Sequence, residues 1–295
     1  MKPSITFVGF LLSMPFLASA ASSNKPPPTP PNDGNSWQNY TVSGLDSYSV
    51  TGGGDPYDYE TVVIMLHGGG GSGYEWWVDT FKNPSPYTQG WFGDMTGLKY
   101  VFPTSALDGN VWYDSIKNSD DDPSNACGLL DDCAYDLDSI KESASDIAEL
   151  IEHEMSQPQI NGNSKKVFLA GFSQGAQMTS YMQIAKLDYP LGGAIVMDGF
   201  PLPPLSDMGN PLIPADPAGA RENATYYGDD MNFMIWHGEL DQIFPCDLTE
   251  ETYAGVFEVL GVPETLRVNV AFPDQYHTYN EIEFSRMVEF IREYE

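Results

Sequence analysis

The sequence predicts an α/β fold, in which helices cover both faces of a mostly parallel central sheet. Residues 61–66 and 167–170 are continuously apolar, as the strands of a buried parallel sheet are. Amphipathic helical segments alternate with such runs along most of the chain. Alternation of strand and helix indicates a three-layer sandwich, and no internal repeat interrupts it.

The N-terminal region predicts an export signal and a linker. An apolar run over residues 5–17 follows a lysine and ends in Ala-Ser-Ala, so residues 1–20 are a predicted signal peptide. Residues 21–36 are rich in Pro and Ser and form a predicted linker before the α/β domain, residues 37–295. We therefore expect a secreted protein with no integral membrane anchor after signal cleavage.

The charge of the chain excludes two classes of partner. It has 42 acidic and 13 basic residues, which give a net charge of -29. Such a surface repels nucleic acid and anionic lipid, so neither is an expected partner. The acidic loop over residues 120–136 lacks the residue order of a calcium loop, and no group has the spacing of a zinc site. No metal site is therefore predicted.

Three cysteines and two glycosylation motifs fit the predicted export. Cys127 and Cys133 flank a short acidic loop and are expected to form a disulfide in an oxidising compartment. Cys246 is then left either buried or available to another chain. Asn39 and Asn223 each begin an Asn-x-Thr motif, so both are predicted N-glycosylation acceptors in a eukaryotic host.

The other elements follow in chain order. Residues 40–50 predict one or two antiparallel strands, and residues 99–102 a further buried strand. A capping box, Ser139-Ile-Lys-Glu142, opens a helix with apolar residues at helical spacing. Later strands are predicted at residues 194–197, 231–236 and 267–272, with a helix after each of the last two.

The segment Gly171-Phe-Ser173-Gln-Gly175 joins a predicted strand directly to a predicted helix. In that context G-x-S-x-G forms a nucleophile elbow. A tight, strained turn projects the serine hydroxyl clear of the sheet, and the small flanking residues let neighbouring backbone approach. The bare motif also occurs by chance, but its position between strand and helix favours Ser173 as a nucleophile.

A serine hydroxyl needs a base, and histidine titrates near neutrality. The chain has four histidines. His67 lies in a glycine loop that it is predicted to brace, and His153 is predicted to lie on the surface of a helix. His237 stands too close to Asp241 for the two to occupy successive loops. His277, in the loop before the last helix, is therefore the predicted base.

A carboxylate must hold the imidazole in one tautomer and stabilise its cation. Asp241, in the loop after a late strand, is the first choice. The chain order is then Ser173, Asp241, His277. Asp198, which ends the strand after the nucleophile, is the alternative acid, and Glu239 in the same turn as Asp241 is a weaker one.

The oxyanion of an acyl-transfer intermediate needs backbone N–H donors. Gln174, the residue after the nucleophile, is one predicted donor. Gly69 is the other, within the loop His67-Gly-Gly-Gly-Gly-Ser-Gly73, where glycines let the backbone lie against a substrate. No Gly-Lys-Ser/Thr follows these glycines, which excludes a phosphate-binding loop.

These motifs resemble the acyl-protein thioesterase, or phospholipase/carboxylesterase, family of α/β-hydrolases. The likeness covers residues 60–295 and implies an α/β-hydrolase fold with Ser173, Asp241 and His277 as its triad. It further implies hydrolysis of acyl esters, thioesters or lysophospholipids without a cofactor, and it places Trp112 near the active site as a predicted substrate contact. The residues that carry it are Leu66-His-Gly-Gly, Trp112-Tyr-Asp, Gly171-Phe-Ser-Gln-Gly-Ala, His237-Gly-Glu-Leu-Asp and His277.

Three departures from the family bear on the substrate. The loop after His67 is richer in glycine, Tyr276 replaces the usual glycine before His277, and the chain has an export signal whereas the known thioesterases are largely cytosolic. The alternative is therefore a secreted carbohydrate or polyester esterase that acts on feruloyl, acetyl or hydroxyalkanoate esters. A non-catalytic binding protein is disfavoured because every predicted triad and oxyanion position is filled.

Residues 199–230 form the longest irregular segment, rich in proline and glycine. A segment of this length is either functional or a surface excursion. The first alternative predicts an apolar lid over an acyl chain, and the second a loop glycosylated at Asn223.

Overall fold

A computed structural model describes residues 35–52, 55–77, 95–117, 133–202 and 230–295. The predicted signal peptide lies outside these ranges, as does the predicted linker except for its last two residues. Ten strands are found in the described part: β1 (Ser36–Val42), β2 (Leu45–Thr51), β3 (Tyr59–Leu66), β4 (Gly97–Thr104), β5 (Ser115–Lys117), β6 (Cys133–Tyr135), β7 (Val167–Phe172), β8 (Gly193–Met197), β9 (Phe233–Gly238) and β10 (Arg267–Phe272).

Eight of these strands form one sheet in the order β1-β2-β4-β3-β7-β8-β9-β10. The pairs β1–β2 and β2–β4 are antiparallel, and every later pair is parallel. Because β3 and β7 lie at the centre of the sheet, residues 62–66 of β3 and residues 167–170 of β7 are buried on two faces and are all apolar. The predicted mostly parallel sheet is confirmed.

Helices cover both faces of the sheet. The α-helices in the described residues are α1 (Gly73–Trp77), α2 (Leu137–Met155), α3 (Gln174–Tyr181), α4 (Cys246–Leu260) and α5 (Glu281–Tyr294). Alternate side chains of a strand point to opposite faces, so Ile64 packs with α2 while its neighbours Val63 and Met65 pack with α5. The α2 face also carries α3 and α4, and the α5 face carries α1. The three-layer α/β sandwich is thus confirmed.

The start of α2 differs from the prediction. The helix begins at Leu137, and Asp136 is its N-cap because the Asp136 carboxylate accepts a hydrogen bond from the Asp138 N–H at 3.0 Å. The predicted capping box at Ser139 is therefore wrong. The Ser139 hydroxyl, inside the first turn, donates to the Asp136 carbonyl at 2.9 Å.

Two further features were not indicated by the sequence. β5 and β6 pair as a separate antiparallel sheet just before α2. β9 continues two residues beyond the predicted strand, so His237 is a strand residue and the loop that holds Asp241 is short. None of the helices in the described ranges combines the length and the apolar character that a bilayer-spanning helix needs.

Candidate active site

Ser173 occupies a strained turn between β7 and α3. Its backbone has φ 55 and ψ −118, a conformation that non-glycine residues rarely adopt. The turn is fixed by hydrogen bonds: the Ser173 N–H donates to the Met197 carbonyl at 2.9 Å, and the Ser173 carbonyl accepts from the Ala176 N–H at 3.0 Å. Such a turn holds the hydroxyl at the carboxyl end of the central strands, where ligands of open α/β sheets bind.

The two glycines of the motif are required by close backbone contacts. A Cβ at Gly171 would lie 2.2 Å from the Gly175 carbonyl oxygen, and one at Gly175 would lie 2.3 Å from the Leu66 carbonyl oxygen. Neither contact can be relieved by a side-chain rotation. The spelling of the motif thus follows from how tightly β7, α3 and β3 pack at the elbow.

His277 and Asp241 form a hydrogen-bonded pair beside this turn. The distance from His277 Nδ1 to Asp241 Oδ2 is 2.8 Å. The second carboxylate oxygen, Oδ1, accepts from the N–H groups of Ile243 at 2.7 Å and Phe244 at 2.9 Å. With Nδ1–H donated to the carboxylate, the other ring nitrogen of His277 is left as an acceptor.

Two aromatic rings position the His277 imidazole. The ring centroids of Phe172 and Phe244 lie 4.8 Å and 5.3 Å from it. Phe172 directly precedes Ser173, so the imidazole packs against the elbow itself. The His277 side chain is 17% exposed while that of Asp241 is fully buried, which is how a base that meets substrate and its orienting acid should differ. These flanking aromatics were not predicted, because nothing in the sequence links residues so far apart.

Asp198, the alternative acid, lies next to the pair. It follows β8 with φ 46, and its Oδ1 accepts from the Gly238 N–H at 2.8 Å. One ligand atom each from Asp198, Asp241 and His277 lie within 4.8 Å of one another. This trio is the one grouping in the described residues whose ligand atoms have the spacing of a metal site. The hydrogen bond to His277, however, comes from Asp241.

The two predicted oxyanion donors are neighbours. A Cβ built at Gly69 would lie 3.3 Å from Gln174 Oε1. The Gln174 N–H belongs to the first residue of α3, where no intrahelical acceptor exists, and the helix dipole favours negative charge. Gly69 itself is exposed, as a donor to substrate must be. The arrangement is suited to binding an anion between the glycine loop and α3.

The glycine loop is held from beneath by His67. Its Nε2 accepts from the Ser105 N–H at 3.1 Å, so its Nδ1 carries the proton and donates to the Gly68 carbonyl at 2.7 Å. Only the neutral ring satisfies both bonds. Burial lowers the pKa of His67 to about 4, which keeps it neutral. His67 braces the loop, as predicted from its position.

Trp112 is placed differently from the prediction. Its side chain is fully buried in the core, and its indole N–H donates to the His67 carbonyl at 2.7 Å. A side chain without exposed surface cannot line a substrate pocket, so Trp112 fixes the glycine loop and the predicted substrate contact is corrected. Trp112 thus lies near the proposed active site, as the family resemblance implies, but its role there is structural.

Some of the remaining predicted residues are described by the structure and others are not. His153 and Asn39 are exposed, and Cys246 is a half-buried free thiol at the start of α4 whose pKa burial raises to about 11. Only the backbone of Cys133 is described, in β6. The predicted sites at Cys127 and Asn223, and residues 203–229 of the predicted lid segment, lie outside the described residues.

Comparison with known proteins gives a consistent result. The sequence profile of the phospholipase/carboxylesterase family matches residues 53–294. Acyl-protein thioesterase 1 homolog 1 of Dictyostelium discoideum is 23% identical over 198 residues, covering 63% of this chain and 70% of that protein.

Two solved structures share the fold. Zea mays acyl-protein thioesterase 2 aligns with a TM-score of 0.58 at 16% identity, covering 84% of this chain and 97% of its own. Acetyl xylan esterase from Aspergillus awamori aligns with a TM-score of 0.53 at 19% identity, covering 87% of this chain and 99% of its own. At these identities the likeness concerns the fold.

Proposed function

This chain belongs to the phospholipase/carboxylesterase family of α/β-hydrolases, and we propose that it is a secreted serine esterase that cleaves acyl esters or thioesters through Ser173, Asp241 and His277. Membership of the family makes it a serine hydrolase of the carboxylesterase or thioesterase type. The residues of the triad, the substrate and secretion are our proposals.

The proposed reaction begins with attack of Ser173 Oγ on the acyl carbonyl carbon. His277 Nε2 takes the hydroxyl proton, and Asp241 stabilises the resulting imidazolium. The tetrahedral oxyanion accepts hydrogen bonds from the N–H groups of Gly69 and Gln174. The imidazolium then gives its proton to the departing alcohol or thiol, which leaves an acyl-enzyme. Water, deprotonated by His277, hydrolyses that ester and restores Ser173.

One observation carries the proposal: the 2.8 Å hydrogen bond between His277 and Asp241 at the side of the elbow. A buried carboxylate is costly unless it is paired and hydrogen-bonded. Two backbone N–H groups fix the Asp241 carboxylate through Oδ1, and its Oδ2 then holds the ring of His277 in a single orientation. Surface ion pairs do not require such support.

The proposed substrate is a small-molecule or lipid acyl ester, and the proposed chemistry needs no cofactor. A carbohydrate or polyester esterase is the second candidate. It is favoured by the glycine-rich loop, where the exposed Gly69 and Gly70 contribute no side chain of their own beside the elbow. The shared fold with an acetyl xylan esterase agrees with this alternative but does not select it.

Fluorophosphonate labelling tests the proposal directly, because only an activated serine reacts readily. We expect label on the wild-type protein, mapped to Ser173, and none on Ser173→Ala. Labelling at another serine would contradict the proposed nucleophile, and absence of labelling would favour a binding protein. A series of p-nitrophenyl esters from acetyl to palmitoyl, run beside acetylated and feruloylated sugars, then separates the two substrate classes.

A further inference from the structure

Asp198 has a buried carboxyl group with one oxygen unused. Oδ1 accepts from the Gly238 N–H, whereas Oδ2 has no hydrogen-bond partner among the described residues. The residue is fully buried, and an oxygen of its carboxyl group lies within 4.8 Å of the carboxylate of Asp241 and of the His277 ring. The sequence offers Asp198 only as an alternative to Asp241, and the proposed reaction of Ser173, Asp241 and His277 does not use it.

Geometry favours the neutral form of this group. An ionised carboxylate with an unpaired buried oxygen loses its hydration without compensation, whereas a neutral acid loses much less. Burial is the main cause that raises the pKa of Asp198 to about 8. The hydrogen bond from Gly238 opposes the rise, and the charges of Asp241 and Glu283 add to it.

Titratable groups on several neighbouring elements set the electrostatic surroundings of Asp198. His237 of β9 is buried and its pKa is lowered to about 4 by desolvation, so it brings no positive charge. Glu283 of α5 is buried, and burial raises its pKa to about 7. Cys246 of α4 is neutral near pH 7 because burial raises its pKa. Among the described residues, Asp241 and His277 also act on Asp198: Asp241 raises the pKa of Asp198 and His277 lowers it.

We propose that Asp198 is a positioning residue for the reaction, which acts through His277 by setting the charge next to the Asp241–His277 pair. The proposal rests on the function proposed for Ser173, Asp241 and His277. While Asp198 is neutral, a single carboxylate faces the imidazolium that forms in the transition state. When Asp198 loses its proton to solvent, a second negative charge stabilises that imidazolium further.

The consequence is a second step in the pH dependence of catalysis. Protonation of the imidazole abolishes its action as a base at acid pH, which gives the first rise. Ionisation of Asp198 gives a second, several-fold rise of kcat/KM at about pH 8. A residue with a purely structural role would not produce it.

Asp198→Asn isolates this effect. Asparagine tolerates positive φ, which Asp198 adopts, and its amide oxygen retains the acceptor for the Gly238 N–H. We expect the variant to match wild type within about twofold at neutral pH, because a neutral amide replaces a neutral acid. It should lack the second rise. Asp188→Asn, at an exposed position, is the matched control and should keep both steps.

The measurement is kcat/KM on p-nitrophenyl butyrate from about pH 5.5 to 9.5, with Ser173→Ala run in parallel to subtract background hydrolysis. A wild-type profile with a single ionisation overturns the proposal, even where Asp198→Asn does not fold. Superimposable wild-type and Asp198→Asn profiles also overturn it, as does a folded Asp198→Asn enzyme inactive at every pH. Ser173→Ala as active as wild type would instead overturn the proposed function.

Discussion

Gln174 holds the backbone of Trp112 from the first turn of α3. Its side-chain oxygen accepts from the Trp112 N–H at 2.7 Å, and its side-chain nitrogen donates to the Tyr113 carbonyl at 2.9 Å. Trp112 in turn donates to the His67 carbonyl, at the base of the glycine loop. Gln174 thus has two tasks: its backbone N–H is a proposed oxyanion donor, and its side chain ties the opposite donor loop to α3.

Gln174→Ala should weaken catalysis although the backbone N–H at position 174 remains. Losing the two side-chain hydrogen bonds frees the glycine loop, so we expect kcat to fall about tenfold and the free energy of unfolding by about 1–2 kcal/mol. Steady-state kinetics and urea unfolding measure the two effects. Gln157→Ala, two residues beyond the end of α2, is the control. An unchanged kcat in a destabilised Gln174→Ala variant would show that the two side-chain hydrogen bonds of Gln174 serve folding alone.

Ser173 carries strain that its substitution should reveal. Ser173→Ala should reduce ester hydrolysis by several orders of magnitude, because no other group in the proposed site attacks the carbonyl. Ser173→Gly should be equally inactive but more stable than Ser173→Ala by about 1 kcal/mol, since glycine adopts φ 55 without strain. Chemical denaturation compares the two variants. A folded Ser173→Ala enzyme with most of its activity would disprove the nucleophile.

Asp241→Asn should leave the fold intact and remove activity. The amide oxygen can still accept from the Ile243 N–H, but an amide nitrogen turned toward His277 selects the wrong tautomer. We expect kcat to fall by about 10³- to 10⁴-fold on a chromogenic ester. Asp247→Asn, exposed on α4, should behave as wild type. If Asp198→Asn rather than Asp241→Asn abolished turnover at neutral pH, the acid would have been misassigned.

The parts of the fold that the sequence predicted are those fixed by local pattern. Burial and close packing restrict which residue type can occupy each position in the apolar runs of β3 and β7 and at the glycines that flank Ser173, so the sequence shows them directly. The order of the strands in the sheet imposes no such restriction on single residues. β8 lies between β7 and β9, and this adjacency brings Asp198 to the Gly238 N–H and near Asp241.

The residues that surround His277 could not be predicted from local sequence pattern, for the same reason. Phe172 comes from β7, whereas Asp241 and Phe244 come from the loop after β9, and these two segments meet His277 only when the sheet is assembled. The prediction for Trp112 failed for a different reason. The family resemblance implied contact with substrate, whereas the indole N–H of Trp112 donates a hydrogen bond to a backbone carbonyl. An aromatic residue near an active site can equally be part of the frame.

Cys127 and Cys133 are expected to form a disulfide if the chain is exported, as its N-terminal sequence predicts. Cys133 lies in β6, whose partner β5 precedes the segment that contains Cys127. Peptide mapping of the secreted protein without reduction should find the two peptides joined and Cys246 as a free thiol. Free thiols at both positions would remove the disulfide and weaken the case for export.

His237 places an unpaired imidazole in the core. It is fully buried in β9, and neither ring nitrogen has a hydrogen-bond partner within the described ranges. Desolvation lowers its pKa to about 4, and only the nearby Asp241 carboxylate opposes this. The unfolded chain, where the imidazole titrates at about pH 6.5, therefore binds more protons than the folded chain between these two pH values. Its contribution to stability is full above about pH 6.5 and is lost as pH falls toward 4.

His237→Phe should make the protein less sensitive to acid. Relative to wild type, its free energy of unfolding should rise by about 1 kcal/mol for each pH unit below about 6.5, until the histidine is protonated in both states. Any change in packing adds a constant offset, so the slope of the difference against pH isolates the titration. Urea unfolding at several pH values measures it, with the exposed His153→Gln as the control. A difference that stays constant from pH 7 to about pH 4.5 would show that His237 is protonated in the folded protein as readily as in the unfolded chain.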